Sequence, residues 1–146
     1  MGMDLERGRL DVVRRLAARR DGLVRLCRER DVRLLILFGS AASGSQRPDS
    51  DIDLAVDFGR DTSPRDELAF HGDLMEALDT DRVDLVNVRT AGPIVLREIA
   101  LHGTPVYVRA ERDFAEFQVH ALTRFMDTAR FRELRGRLVR ARFGSR

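Results

Sequence analysis

Asp51 and Asp53 stand two residues apart at the head of an apolar run, DIDLAVDF over Asp51–Phe58. In a β-strand, residues i and i+2 leave the same face roughly 6.6 Å apart, so both carboxylates would be presented together while Ile52, Leu54 and Val56 turn into a core. Like charges side by side on one strand face repel, and Asp is a poor strand former. A shared divalent cation removes that objection, because hard cations take carboxylate oxygens. Asp84 sits in a second apolar segment, Arg82–Val88 (RVDLVNV). It reaches the same side if its strand is the neighbour. Three carboxylates on adjacent strands can hold two divalent ions, an arrangement suited to in-line displacement at phosphorus. Gly39-Ser40, which closes the apolar run Val32–Phe38 (VRLLILF), supplies a complement. A glycine lets backbone approach a phosphate closely. A short helix beginning at Ser40 would aim its N–H groups and dipole at an anion. Arg47, just ahead of the acids, is placed either to reach a phosphate or to stay solvated.

The elements that must position these residues follow from hydrophobic period. Leu5, Val12, Val13, Leu16, Leu23, Leu26 and Cys27 recur at helical spacing, and Asp21-Gly22 is expected to break this stretch into two helices. Val32–Phe38 and Asp51–Phe58 read as strands joined by the Gly/Ser/Ala-rich connection Ser40–Ser50, with Asp49 and Ser50 making the turn. Ser63-Pro64 starts a helix whose expected buried stripe is Leu68, His71, Met75 and Leu78. Then come a strand at Arg82–Val88, a short helix over Thr90–His102 closed by Gly103, a strand at Val106–Val108 and a helical segment over residues 112–142. The result is an α/β (α+β) domain with a small mixed sheet of about four strands flanked by helices. One domain is expected, with an N-terminal helical segment at 1–30, a core at 31–110 and an extended C-terminal helical segment at 111–146.

Composition narrows the classes. The chain has 146 residues, one cysteine and a net charge of +2, and every basic residue apart from its three histidines is Arg. A single cysteine excludes an internal disulfide and a thiolate metal site. The absence of Lys excludes a P-loop lysine or a Schiff base. No apolar run reaches the length of a membrane span, and the charged N-terminus lacks a signal-peptide core, so a cytoplasmic protein without membrane contact is expected. The small net charge conceals a partition: residues 1–48 carry +5, residues 49–84 carry −9 and residues 85–146 carry +6. The central deficit, mostly Asp, coincides with the proposed cation site.

Other chemically capable residues have plainer readings. Asp57 continues the alternation and is expected at a solvated strand end. His71 is expected as a packed histidine and Cys27 as a small buried apolar group. His102 with Arg97 matches the R-x4-H spacing of a HEPN ribonuclease motif, but it closes a short helix, where a basic residue is stabilised by the dipole alone. His120 is expected to face a partner or solvent.

Gly39-Ser40, ten intervening residues and Asp51-Ile52-Asp53 resemble the G-S-x10-D-x-D signature of the DNA polymerase β nucleotidyltransferase superfamily. LFGSAASGSQRPDSDIDLAVDF is especially similar to the minimal nucleotidyltransferases, the MNT proteins, with the likeness running from about Val32 to Tyr107. The resemblance implies a polymerase β-like fold and two Mg²⁺ ions on Asp51, Asp53 and Asp84. It also implies catalytic roles for these three aspartates, with Asp84 helping to deprotonate an acceptor hydroxyl. Gly39 and Ser40 would bind the nucleotide's phosphates. Relatives often carry Arg directly after Gly-Ser; here Ala41-Ala42-Ser43 follows, and Arg47 is the nearest substitute. The implied reaction moves AMP from ATP to a hydroxyl, in this group a Tyr of a HEPN-family toxin, which makes the protein an antitoxin. A small-molecule (antibiotic) nucleotidyltransferase and a catalytically silent module are the alternatives. The last helical segment has two readings: it covers the sheet, or after about Phe125 it docks a partner or a second copy. No single-strand stacking platform accompanies its arginines, so nucleic acid is not expected as a partner.

Overall fold

The computed structural model describes residues 2–39 and 51–143. In chain order they form α1 (Gly2–Ala18), α2 (Arg20–Glu29), β1 (Leu34–Phe38), β2 (Ile52–Asp57), α3 (Pro64–Leu78), β3 (Val83–Asn87), α4 (Pro93–His102), β4 (Thr104–Val108) and α5 (Asp113–Phe143). The four strands make one mixed sheet in the order β3-β2-β1-β4. β1 pairs antiparallel with both β2 and β4, whereas β2 and β3 run parallel across the α3 crossover. The expected α+β architecture with a four-stranded mixed sheet and a long last helix is what forms.

β1 is apolar on both faces because helices cover both. On one face Leu35, Leu37, Ile52, Leu54 and Val56 pack with Leu23 and Cys27 of α2 and Phe70, Leu74 and Leu78 of α3. On the other, Leu34, Ile36 and Ala55 pack with Leu96 and Ile99 of α4 and Phe117 and Ala121 of α5. Fully burying a Leu or Ile contributes about 1.5–3 kcal/mol, so Ile52 and Leu54 anchor the strand between them from behind.

Local sequence explains the element ends. The Ser63 hydroxyl accepts the Asp66 N–H at 3.1 Å and Pro64 occupies the first helical position of α3. α3 stops at Asp79, whose φ of 51° is left-handed. Three expectations need correction. The break between the first two helices falls at Arg19, and Asp21-Gly22 lies inside α2, where Asp21 sits in the first turn and complements the helix dipole. The buried stripe of α3 is Phe70, Leu74 and Leu78, with Leu68 71 % exposed. Both stripes obey helical period; the edge-to-face contact of Phe70 with Phe58, at 5.4 Å, selects the real one. Asp57 is not solvated but 6 % exposed, with Gly59 N–H donating to its Oδ1 at 2.8 Å and Arg33 paired to its Oδ2 at 3.4 Å.

α5 changes character along its length. Asp113 caps its start by accepting the Ala110 N–H at 2.9 Å, and Gln118 donates to the Ala100 carbonyl at 2.9 Å. Beyond Phe125 the large apolar side chains face outward, Phe131 being 74 % exposed and Leu138 62 % exposed. Among the described residues no helix is long and apolar enough to cross a membrane.

Candidate active site

Strand register brings two of the three predicted acids together. Asp53 of β2 lies directly opposite Asp84 of β3, and Phe38 at the end of β1 lies opposite Asp53 on the other side. Asp53 shares its face with Ala55, and Asp84 with Val86; both apolar residues pack into the α4/α5 core. Both carboxylates therefore emerge from one face, at the end of the sheet where that core stops. Asp51 immediately precedes β2 and is exposed, as is Asp84, while Asp53 is half-buried. The parallel β2/β3 pairing creates this juxtaposition: Ile52 and Val83, one residue earlier on each strand, are both buried in the opposite core.

The electrostatics match the geometry. The Asp53 carboxyl is held above its ordinary pKa, first by burial and then by the negative charges of Asp84 and Asp51. Among the described residues, no cationic side chain stands among those causes. Among the described residues, however, no three His, Cys, Asp or Glu side chains close into a ready-made metal cage. Asp53 and Asp84 are aligned by register, with Asp51 just ahead of β2, rather than drawn together. Their chemistry fits a hard divalent ion: oxygen donors only, and a carboxylate crowded by like charge that a cation would relieve.

Gly39 is part of the same assembly. Its φ of +71° lies in the left-handed region that side chains rarely adopt. A Cβ there would fall 2.9 Å from Cγ of Asp53 and closer still to its Oδ2. So glycine is needed twice over, for its conformation and for the carboxylate lying against it. Ser40 and Arg47, the other expected phosphate ligands, lie outside the described residues, as do Asp49, Ser50 and the Ala41-Ala42-Ser43 departure.

One supporting residue was read only as packing. His71 on α3 is half-buried, and its Nε2 meets the carbonyl oxygen of Val83, the residue before Asp84. It satisfies an edge-strand carbonyl and ties α3 to the end of β3 that carries the acid. A polar residue on an otherwise apolar helix face was the only available signal. His102 is exposed at the end of α4, and His120 is exposed on α5. Cys27 is fully buried, and burial pushes its thiol up to about 12, far from nucleophilic use.

The chain resembles known proteins in sequence and in fold. The family model described as "Polymerase beta, Nucleotidyltransferase" matches residues 23–112. The protein adenylyltransferase MntA of Shewanella oneidensis is 38 % identical over 85 residues, which are 56 % of this chain and 58 % of that relative. The match thus spans little more than half of the relative's length. Among solved structures, a toxin–antitoxin crystallised with AMP-PNP superposes with a TM-score of 0.69 at 24 % identity, over 82 % of this chain and 98 % of that one. A complex of tri-AMPylated Shewanella oneidensis HEPN toxin with MNT antitoxin gives 0.66 at 21 % identity, over 85 % and 98 %. At these identities the superpositions establish a shared fold.

Proposed function

The chain belongs to the polymerase β nucleotidyltransferase family, and from that premise we propose that it transfers AMP from ATP to a hydroxyl of a partner protein. We take the partner to be a HEPN-type toxin, the acceptor to be a Tyr and the result to be antitoxin activity in the cytoplasm. The observation that carries the reading is the register of Asp53 against Asp84, with Asp51 beside them and Gly39 pressed on Asp53. The likeness to a protein adenylyltransferase and to toxin–antitoxin structures supports the choice of donor and partner.

Asp51, Asp53 and Asp84 are the residues that would hold Mg²⁺. Bound there, Mg²⁺ would neutralise polyphosphate charge and acidify the attacking hydroxyl. Gly39, with Ser40 and Arg47, would seat the phosphates, the glycine by admitting backbone close to them. In the transfer, the acceptor oxygen forms a bond to the α-phosphorus while the bond from that phosphorus to the bridging oxygen breaks. Pyrophosphate leaves with that electron pair. Asp84, exposed at the edge strand, accepts the hydroxyl proton. Half-burial of Asp53 between β1 and β3 keeps one carboxylate fixed while its neighbours adjust.

The direct test is incubation with labelled ATP, Mg²⁺ and the HEPN-type toxin, with the label located by mass spectrometry. Label on a toxin Tyr that is lost in Asp51→Asn and Asp53→Asn is the expected result. Label on an aminoglycoside-type small molecule but not on protein would replace the acceptor. Failure to bind ATP and Mg²⁺ at all would reduce the protein to a silent module.

A further inference from the structure

We propose that the outer half of α5, with the start of α4, forms a docking groove for an acidic amphipathic helix of a partner protein. A cavity of about 290 Å³ lies between Ile94 and Val95 of α4 and Thr128, Phe131, Arg132 and Arg135 of α5. It opens onto an apolar stripe. Phe131, Leu134 and Leu138 follow one another at helical spacing of three and four, and are 74 %, 54 % and 62 % exposed. Ile94, on the opposite wall, is 64 % exposed. Apolar residues clustered this way, rather than scattered singly, mark an interaction site.

The rim decides what fits. Residues 124–143 carry seven arginines against two acids, Asp127 and Glu133. Two copies laid together along this stripe would oppose their own charge, so a second copy is the wrong occupant. The long apolar stripe, without stacked aromatics, is equally wrong for a nucleic acid. An acidic helix with one apolar face satisfies both features. The rim is also held in place. Arg132, which lines the groove, lies over the Phe125 ring with its guanidinium carbon 4.0 Å from the centroid, and its Nη2 donates to the Phe125 carbonyl at 2.9 Å. A guanidinium fixed before binding loses less entropy on meeting a carboxylate. Neither Asp53 nor Asp84 is among the residues that line the groove.

That this partner is the HEPN-type toxin rests on the proposed function; the groove itself does not. The experiment therefore uses two probes on the full-length chain. The first is a synthetic twenty-residue helical peptide with Leu on one face and Glu on the others, against a scrambled control, by calorimetry in low and high salt. Salt-sensitive binding that falls about tenfold or more in Phe131→Glu or Arg135→Glu, with ATP binding unchanged, is the expected result. No binding, or binding that both variants retain, overturns the groove. The second probe is the toxin. The same variants should raise its KM and leave kcat unchanged. Peptide binding without toxin binding keeps the groove and removes the toxin as acceptor. Toxin binding that Phe131→Glu leaves intact, or a wild-type dimer that the same variant dissociates, assigns the stripe to another occupant and overturns the proposal.

Discussion

The face of β2 that carries Asp53 also carries Asp57, four residues on, and the two ends of that face are built on opposite principles. Asp57 is 6 % exposed and fully compensated. Arg33 pairs with it at 3.4 Å and also reaches Asp113 at 3.2 Å and Glu116 at 2.7 Å, tying β1, β2 and α5 together. Among the described residues, the charges that act on Asp53 are those of Asp84 and Asp51, and with burial they hold its carboxyl above its ordinary pKa. A buried acid with a guanidinium is architecture. A half-buried acid facing like charge is what a bound cation would relieve, as the proposed function requires. One strand thus carries both, and their substitutions should separate cleanly.

The largest effect belongs to that separation. Asp53→Asn should lower adenylyl transfer by roughly a thousandfold or more, the several kcal/mol that a metal-held charge contributes, while the metal-free fold stays at least as stable. Asp57→Ala should do the reverse. Removing one partner of a buried pair leaves Arg33 under-compensated and costs about 1–3 kcal/mol by urea unfolding, with kcat per folded molecule preserved. An Asp57→Ala variant that stays fully stable yet inactive would show that the two ends are one site.

Gly39→Ala comes next. The new methyl must displace the Asp53 carboxylate or twist the backbone out of its φ of +71°. If Asp53 holds metal as proposed, displacing it by this much should reduce kcat by on the order of a hundredfold. Because the clash is with a side chain, the double variant Gly39→Ala/Asp53→Asn should be little worse than Asp53→Asn alone. Additive losses would mean that the glycine acts on the phosphates without Asp53.

The pH dependence of the metal-free protein sharpens the contrast further. A carboxyl whose folded pKa is raised favours the folded state when protonated. Its contribution is fully present below the unfolded pKa and is lost as pH rises through the folded value. Asp53→Asn, uncharged throughout, should therefore melt above wild type near neutral pH. The gap should close as pH falls through the raised pKa toward about 4, the ordinary carboxyl value. Added Mg²⁺ should close the same gap at neutral pH by raising the wild-type melting temperature alone. A gap that is constant with pH would remove charge crowding as its cause.

The two ends also differ in how well the sequence foretells them. Asp51, Asp53 and Asp84 announce themselves because period-two alternation sets side-chain direction, and acids in apolar strands demand a reason. The strand order that brings Asp84 beside Asp53 did not follow from spacing, since it depends on the α3 crossover. Asp57 misled for the same reason in reverse. It continues the alternation, and its partner Arg33 is twenty-four residues away across an antiparallel pairing that only the folded sheet creates. Gly59 two residues on, whose N–H Asp57 accepts, was the local sign of a buried turn. The α3 stripe failed because Leu68 and Phe70 both fit a helical period, and the Phe58 contact that chooses between them is tertiary. In α5 the apolar residues recur as far as Phe143, so the sequence left two readings for the part after about Phe125, packed on the sheet or free to dock; the structure turns its large apolar side chains outward from there.

The smallest effect lies inside the compensated end and tests how compensation is shared. Arg33 has three acidic partners, yet their surroundings differ: the side chains of Asp57 and Asp113 are 9 % and 8 % exposed, while that of Glu116 is 52 % exposed. The Glu116 contact is the shortest of the three, so distance alone would rank it first. Solvent screening reverses that ranking, because water stabilises an exposed carboxylate almost as well as a guanidinium does. Asp57 and Asp113 also each accept a backbone N–H, from Gly59 and Ala110, which Glu116 does not replace. Glu116→Gln should therefore change stability by no more than about 1 kcal/mol, and less in high salt. Should Glu116→Gln match Asp57→Ala in unfolding free energy, exposure would not be what grades the network. The contrast between the two ends of β2 would then rest on charge partners alone, and not on burial.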